Sequence, residues 1–360
     1  MTDVMRVDAA RPDEALIRAA AERLRHGGLV AFPTETVYGL GVHALDAEAV
    51  RRLFAAKERP ANDPLIVHVA SLSALEPLVS RVPASAPALG ARFWPGPLTL
   101  VMPRADRVPL EVTAGRETVA VRIPAHPVAR ALLAAAGVPV AAPSANLFSR
   151  PSPTRAEHVM DDLGGRIDLI VDAGPTTIGV ESTVLDLTGP VPRVLRPGAV
   201  TIAMLRSVLP DVEDRRPETT ALDETAAMAS PGLLSRHYAP RTPLVLYTRG
   251  AGTLSTLVRD ARAALAEGRR VGILVTEDDR AALGALGAPL SDLRACTLGE
   301  ATDLEGVASR LYAALRELDA AALDLILAPE LPVADGLGTA VADRLRRAAH
   351  ERRTTNPAQR

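Results

Sequence analysis

The stretch LVAFPTETVYGLGVHALDAEAVRRLFAAKERPANDPLIVHV (29–69) decides the fold class. It opens on an apolar run of strand length, LVAF (29–32), and closes on another, LIVHV (65–69). Between them Asp46 stands at a helix N-cap position, Val50, Leu53 and Phe54 recur at helical spacing, and Pro60 lies beyond the helix end. PTETVYGLG (33–41) is rich in turn formers and predicts neither helix nor strand. On the N-terminal side, Leu16, Ile17, Ala20 and Leu24 share one face of a helix over 13–25, which Gly27-Gly28 ends. On the C-terminal side, LTLV (98–101), TVAVRI (118–123), VPVAA (138–142), DLIVD (168–172) and TVLDL (183–187) read as strands, and RVLRPG (193–198) holds a short one closed by Arg196. Helical patterns fall at 127–136, 154–162 and 201–209. Strands mixed with helices and long irregular connections predict an α/β sheet that is not regularly doubly wound.

The character changes after residue 209. PDVEDRRPETTALDETAAMASPG (210–232) is polar, acidic and without period, which predicts a linker. PLVLY (243–247), RVGILV (270–275) and LDLILA (323–328) then alternate with helical patterns near 253–267, 303–319 and 339–350, the rhythm of a small parallel sheet with covering helices. The expected organisation is therefore a domain over 1–209, a linker over 210–241, a second α/β domain over 242–350 and a disordered tail over 351–360. A chain of 360 residues has room for two cores, at roughly 100–200 residues per domain.

Composition narrows the function. With 41 Lys+Arg against 43 Asp+Glu there is no global basic field to hold a nucleic-acid backbone. The single Cys296 can form neither an intramolecular disulfide nor a cysteine-based zinc site. The charged N-terminus lacks the apolar core of a signal peptide, and no window reaches 18 apolar residues, so a soluble, cytoplasmic protein is expected. Among the 41 basic residues, Lys57 is the one lysine. A bias that replaced lysine wherever arginine serves would leave it where a compact ammonium does something a planar guanidinium cannot.

Lys57 and Arg59 flank the helix end before Pro60, with Asn62 and Pro64 beyond. Two readings are open: the cations complement the helix macrodipole, or they form an anion site with Lys57 as a point charge, Arg59 as a fork and Asn62 as an amide donor. In TVAVRIP, Thr118, Ala120 and Arg122 share a face, so Arg122 either meets solvent or lines a cleft. PVAAPSANLFSRPSPT ends a buried strand and then offers Ser144, Asn146 and Ser152, small polar groups suited to a ligand or to a plain turn. GVESTVLDL has Gly179 for a sharp turn, followed by Ser182 and Thr183. His43, His68 and His237 fit no zinc spacing, so no metal ligand set is expected. No Walker, GxGxxG or GxSxG pattern is present. What remains is a cation-rich cleft without a nucleophile, a site that stabilises developing charge.

FPTETVYGLG, KERPANDPLIVHV, WPGPLTLV, VAVRIP, APSAN, GVESTVLDL, VLRPGA and SPGLLSRHYAP, in that order, resemble the YrdC-like family. With its C-terminal third, the chain is similar to the long two-domain members, the L-threonylcarbamoyladenylate synthases. The resemblance covers about residues 20–240, and Lys57, Arg59, Ser144 and Asn146 stand in the family's KxR…SxN pattern. It implies a twisted mixed-sheet domain with a central cleft, followed by a smaller Rossmann-like α/β domain. It also implies a reaction in which L-threonine, bicarbonate or CO2, and ATP with Mg²⁺ give L-threonylcarbamoyladenylate and pyrophosphate. Partner proteins then transfer the threonylcarbamoyl group to tRNA. Lys57 and Arg59 are implied as catalytic. Lys57, Arg59, Asn62, Thr118, Ser144, Asn146, Ser152, Arg196, His237 and Tyr238 are implied for ATP; Thr34 or Thr36, His68, Arg122, Ala142 and Ser182 for threonine. The linker is implied to fold over the nucleotide.

Two other classes compete. One is a non-catalytic RNA or ribosome-maturation module contacting double-stranded RNA or tRNA, against which stand the near-neutral charge and only nine aromatic residues. The other is a carbamoyltransferase-like enzyme using a different donor.

Overall fold

The computed structural model describes residues 1–214, 227–232, 236–332 and 336–354. The chain divides into two units, Met1–Phe148 with Ser152–Ser235, and Ser149–Pro151 with Arg236–Arg360.

The strands of the first unit are β1 (Asp3–Arg6), β2 (Val30–Pro33), β3 (Tyr38–His43), β4 (Ile66–His68), β5 (Leu98–Pro103), β6 (Thr118–Arg122), β7 (Val140–Ala141), β8 (Leu169–Asp172), β9 (Thr183–Asp186) and β10 (Arg193–Arg196). Its helices are α1 (Glu14–Arg25), α2 (Ala47–Lys57), α3 (Ala86–Phe93), α4 (Leu110–Thr113), α5 (Pro127–Ala136), α6 (Ala156–Leu163) and α7 (Ile202–Arg206). The strands form one mixed sheet in the order β1-β8-β2-β3-β7-β4-β6-β5-β9-β10.

Alternation decides what each face does. Val67, Val69, Leu98, Leu100, Val119, Val121 and Leu185 point to one side, into a large core shared with Val50 and Leu53 of α2, Leu89 of α3 and Val159 of α6. On the other side α1 and α5 cover one end, packing Ile17, Leu24, Val128 and Leu132 on Val30, Phe32, Val140 and Val171. The rest of that face, on β4, β6, β5 and β9, carries among the described residues the small cluster of Ile66, Val101, Ala120, Val184 and Leu195, with Ala229 packed against it. The polar residues His68, Thr99 and Arg122 alternate onto this same face and are buried there.

Several expectations are corrected. PTETVYGLG is not all turn: Tyr38 begins β3, antiparallel to β2 with Ala31 opposite Leu40, because Tyr38, Leu40 and Val42 alternate into the core. Of the helix expected over 201–209, only Ile202–Arg206 is helical. The linker expected from residue 210 begins later, since Glu213 carbonyl accepts the Val194 N–H at 2.9 Å and Glu213 N–H donates to Pro192 at 2.9 Å. Within 227–232, Met228 and Ser230 are buried, and Met228 N–H donates to Asn62 carbonyl at 3.0 Å. The remainder of that segment, 215–226 and 233–235, lies outside the described residues.

The second unit contains β11 (Leu244–Tyr247), β12 (Val271–Val275), β13 (Arg294–Thr297), β14 (Leu325–Pro329) and β15 (Glu351–Arg353), with α8 (Thr253–Ala266), α9 (Glu277–Ala285), α10 (Leu304–Ala320) and α11 (Leu337–Ala348). The strands are parallel in the order β13-β12-β14-β11-β15. The start of the expected disordered tail is therefore strand β15. It satisfies the open edge of β11, and Arg353 Nη1 is anchored on Asp260 at 2.7 Å. Among the described residues no helix is long and apolar enough to cross a membrane.

Candidate active site on the sheet face of Arg122

Strand register places His68 opposite Arg122, and Arg122 opposite Thr99 on the next strand. Arg122 is only 4% exposed, which rules out the solvent-facing reading. Its Nε donates to Gly96 carbonyl at 3.2 Å and its Nη1 to Thr36 Oγ1 at 3.0 Å, while Thr36 and Thr34 hydroxyls lie 2.8 Å apart. Across the sheet, Thr99 and Ser182 hydroxyls are 2.8 Å apart, and Arg196 Nη2 donates to Ser182 Oγ at 3.2 Å. Ala142 closes the same region, its N–H donating to Ile66 carbonyl at 2.9 Å. The residues expected for threonine are thus brought together, with Arg196 joining them to those expected for ATP. His68 lies buried among them, its Nδ1 without a protein hydrogen-bond partner. Burial, then the charge of Arg122, pushes its pKa down to about 3.

The second cluster is built by the end of α2. Asp46 caps the helix start, accepting from Glu48 and Ala49 N–H at 3.0 and 3.1 Å. At the other end Glu58 turns left-handed with φ +54°, a region few non-glycine residues adopt, so the chain reverses between Lys57 and Arg59. Lys57 does not serve its own helix end. At 1% exposure, its Nζ donates to Ser144 carbonyl at 2.6 Å and also to Asn146 carbonyl, while Phe148 N–H returns a bond to Lys57 carbonyl. Arg59 donates to Pro64 carbonyl at 2.8 Å and pairs with Asp63 at 2.9 Å.

Electrostatics place these charges in one neighbourhood. Burial, then Arg59, drives the Lys57 ammonium well below its ordinary pKa, against Asp162 and Asp63. Burial raises the Asp63 pKa, opposed by Arg59, Lys57 and Arg196. Arg196 also donates to Ser182 and Pro231 carbonyls at 3.1 and 3.2 Å. Asn62 is tied to this group through Met228, and Ser152 hydroxyl donates to Glu181 Oε1. Thr118 sits half-buried at the far end of β6 from Arg122, on the same face and about 13 Å along the strand. His237 and Tyr238 belong to the second unit, where Tyr238 stacks on Tyr312 at 5.6 Å and lies under the Arg344 guanidinium at 5.4 Å.

Known proteins resemble this chain in sequence and fold. Residues 22–198 match the Sua5/YciO/YrdC family, described as telomere recombination, and residues 200–350 match the family described as the C-terminal domain of threonylcarbamoyl-AMP synthase. The threonylcarbamoyl-AMP synthase of Bacillus subtilis is 43% identical over 343 residues, 95% of each chain. That of Pyrococcus abyssi is 43% identical over 340 residues, 94% of this chain and 95% of its own. This chain belongs to the two-domain Sua5 branch of that family. The crystal structure of P. abyssi Sua5 complexed with L-threonine superposes with a TM-score of 0.88, at 40% identity, covering 99% of this chain and 100% of the other.

Against this Sua5 frame, the expected cation-rich cleft needs one correction. Arg59 and Arg122 are each paired with a buried carboxylate, Asp63 and Glu35, and two more are buried: Asp162, whose charge acts on Lys57, and Glu181, which accepts from Ser152. Sequence reasoning missed all four. The signals were present: Asp63 follows Arg59 by four residues, Glu35 stands between Thr34 and Thr36, and Glu181 precedes Ser182. A short carboxylate in a motif reads as surface until the pairing partner is known to be buried.

Proposed function

We propose that this chain makes L-threonylcarbamoyladenylate and pyrophosphate from L-threonine, bicarbonate or CO2, and ATP, as a nucleotidyltransferase. Its product would supply the proteins that build threonylcarbamoyladenosine in tRNA, in the cytoplasm. The carrying observation is the full-length match, in sequence and fold, to synthases of this name, one of them solved with L-threonine. The site agrees chemically. Arg122, fixed by Gly96 and Thr36, offers a fork to the threonine carboxylate, with Thr34, His68, Ala142 and Ser182 around it. Lys57, Arg59 and Arg196 would face the triphosphate, with Asn62, Thr118, Ser144, Asn146 and Ser152 as polar contacts; His237 and Tyr238 are further contacts that the family resemblance implies.

In the adenylation step a carbamate oxygen forms a bond to the α-phosphorus, and the bond to the bridging oxygen of the β-phosphate breaks. Negative charge builds on the departing pyrophosphate, where fixed cations stabilise it and no protein nucleophile is required. Among the described residues no three potential metal ligands cluster, and the carboxylates Asp63 and Glu35 are engaged by Arg59 and Arg122. Mg²⁺ would therefore be held by triphosphate oxygens and waters and would supply further charge neutralisation there.

The test measures pyrophosphate release with threonine, bicarbonate and ATP each omitted in turn. Release should require all three. Release independent of threonine or bicarbonate overturns the reading, and salt-sensitive binding of double-stranded RNA or tRNA without ATP consumption favours a binding module instead.

A further inference from the structure

Arg122 is already neutralised within the protein. Its Nη2 lies 2.7 Å from Glu35 Oε1, with the two side chains only 4% and 10% exposed. The other carboxylate oxygen, Oε2, accepts the Ala125 N–H at 3.1 Å. The Glu35 carbonyl accepts from Ile178 N–H at 2.8 Å and Thr177 Oγ1 at 3.2 Å, so residue 35 is clamped at both its main chain and its side chain. Arg122 donates one hydrogen bond each to Gly96 and Thr36 and meets Glu35 as an ion pair through Nη2, so part of the five-donor guanidinium is committed within the protein. The remaining donors have a fixed direction.

A buried guanidinium with no counter-ion attracts any anion that fits, whereas a pair with no net charge does not. A monoanion placed on Arg122 would bring uncompensated negative charge up to Glu35, and like charges so placed are strongly disfavoured. A zwitterion brings no net charge. We propose that Glu35 is a positioning and specificity residue: it orients the Arg122 fork and, by cancelling its charge, makes the pocket prefer a zwitterionic amino acid to a monoanion of the same shape. The proposal rests on the reading of Arg122 as the threonine-carboxylate site.

The test compares calorimetric binding of L-threonine and of (R)-3-hydroxybutanoate, its counterpart without the amino group, to the full chain and to Glu35→Gln. The ratio of the two affinities should move toward the monoanion by about tenfold or more in Glu35→Gln, with the KM for ATP unchanged. A ratio equal to wild type, both ligands weakening alike, overturns the proposal, since a purely structural role predicts that. Should Glu35→Gln fail to fold, Glu35→Asp keeps the charge and shortens its reach. Its KM for threonine should rise at constant KM for ATP, and a wild-type KM for threonine overturns the proposal. If wild-type protein binds neither ligand, the functional reading itself fails, and this proposal with it.

Discussion

Lys57 stands out twice, as the one lysine of the sequence and as a fully buried ammonium gripping the Ser144 and Asn146 carbonyls. The structure adds a scaffolding duty to the electrostatic one. Lys57→Ala is expected to slow pyrophosphate release by about 10²–10³, as loss of an oxyanion donor does. It should also lower the unfolding free energy, measured in urea, by about 1–3 kcal/mol, because buried carbonyls lose their donor. Lys57→Arg keeps the charge but must fit a planar fork into a packed pocket, so its activity should fall as well; wild-type turnover in that variant would remove Lys57's special role. His68 makes a pH prediction. Its pKa is about 3 folded, against 6.5 for the free side chain, so below pH 6.5 the unfolded chain binds a proton that the folded one does not. Stability is thus lost as pH falls from 6.5 toward 3, by about 1.4 kcal/mol per unit. Between pH 7 and 5, wild type should lose about 2 kcal/mol more than His68→Gln in urea titrations; equal losses would contradict a buried neutral His68.

At the scale of the elements, backbone contacts hold the loops that carry the site's side chains. Gly179, at φ +82°, turns the chain into β9, and Gly179 N–H bonds Thr36 carbonyl at 3.0 Å, tying the Ser182 loop to the Thr34–Thr36 segment. Gly198 closes the other side. A Cβ there would run into the 181–183 backbone, with Glu181 carbonyl at 2.7 Å and Ser182 carbonyl carbon at 2.7 Å. Gly198→Ala should therefore displace Ser182 and the Arg196 that binds it. The expected result is a rise in KM for threonine and ATP together, with a stability loss of about 1–3 kcal/mol; unaltered KM values would show that the loop tolerates displacement. The short strand β4 pairs in parallel with β6, in the register that lines up His68 with Arg122, and antiparallel with β7 on its other side.

At the scale of the whole molecule, both chain ends act as edge strands, β1 on β8 and β15 on β11. A chain ending at His350 loses the β15 ladder and the Arg353–Asp260 pair. Its thermal transition for the second unit should drop by about 2–8 °C for each kcal/mol lost, and an unchanged Tm would mean that β15 adds nothing to stability. In the first unit α1 and α5 pack on one end of a sheet face, and the polar residues of β4, β6, β5 and β9 lie buried on the rest of that face.

The amino-acid sequence by itself determined the class of fold and the family, and it singled out the cations proposed for the site. Those depend on local signals: periodicity, capping residues, proline and glycine, and a lone lysine in an arginine-rich chain. It did not reveal β3, whose strand character rests on a partner on either side, nor β15, a charged tripeptide that pairs because β11 has an open edge. Above all, the carboxylates that neutralise the site were decided only by tertiary structure. Glu35 and Arg122 lie far apart in the chain, and burying one charge forces the fold to bring up its opposite.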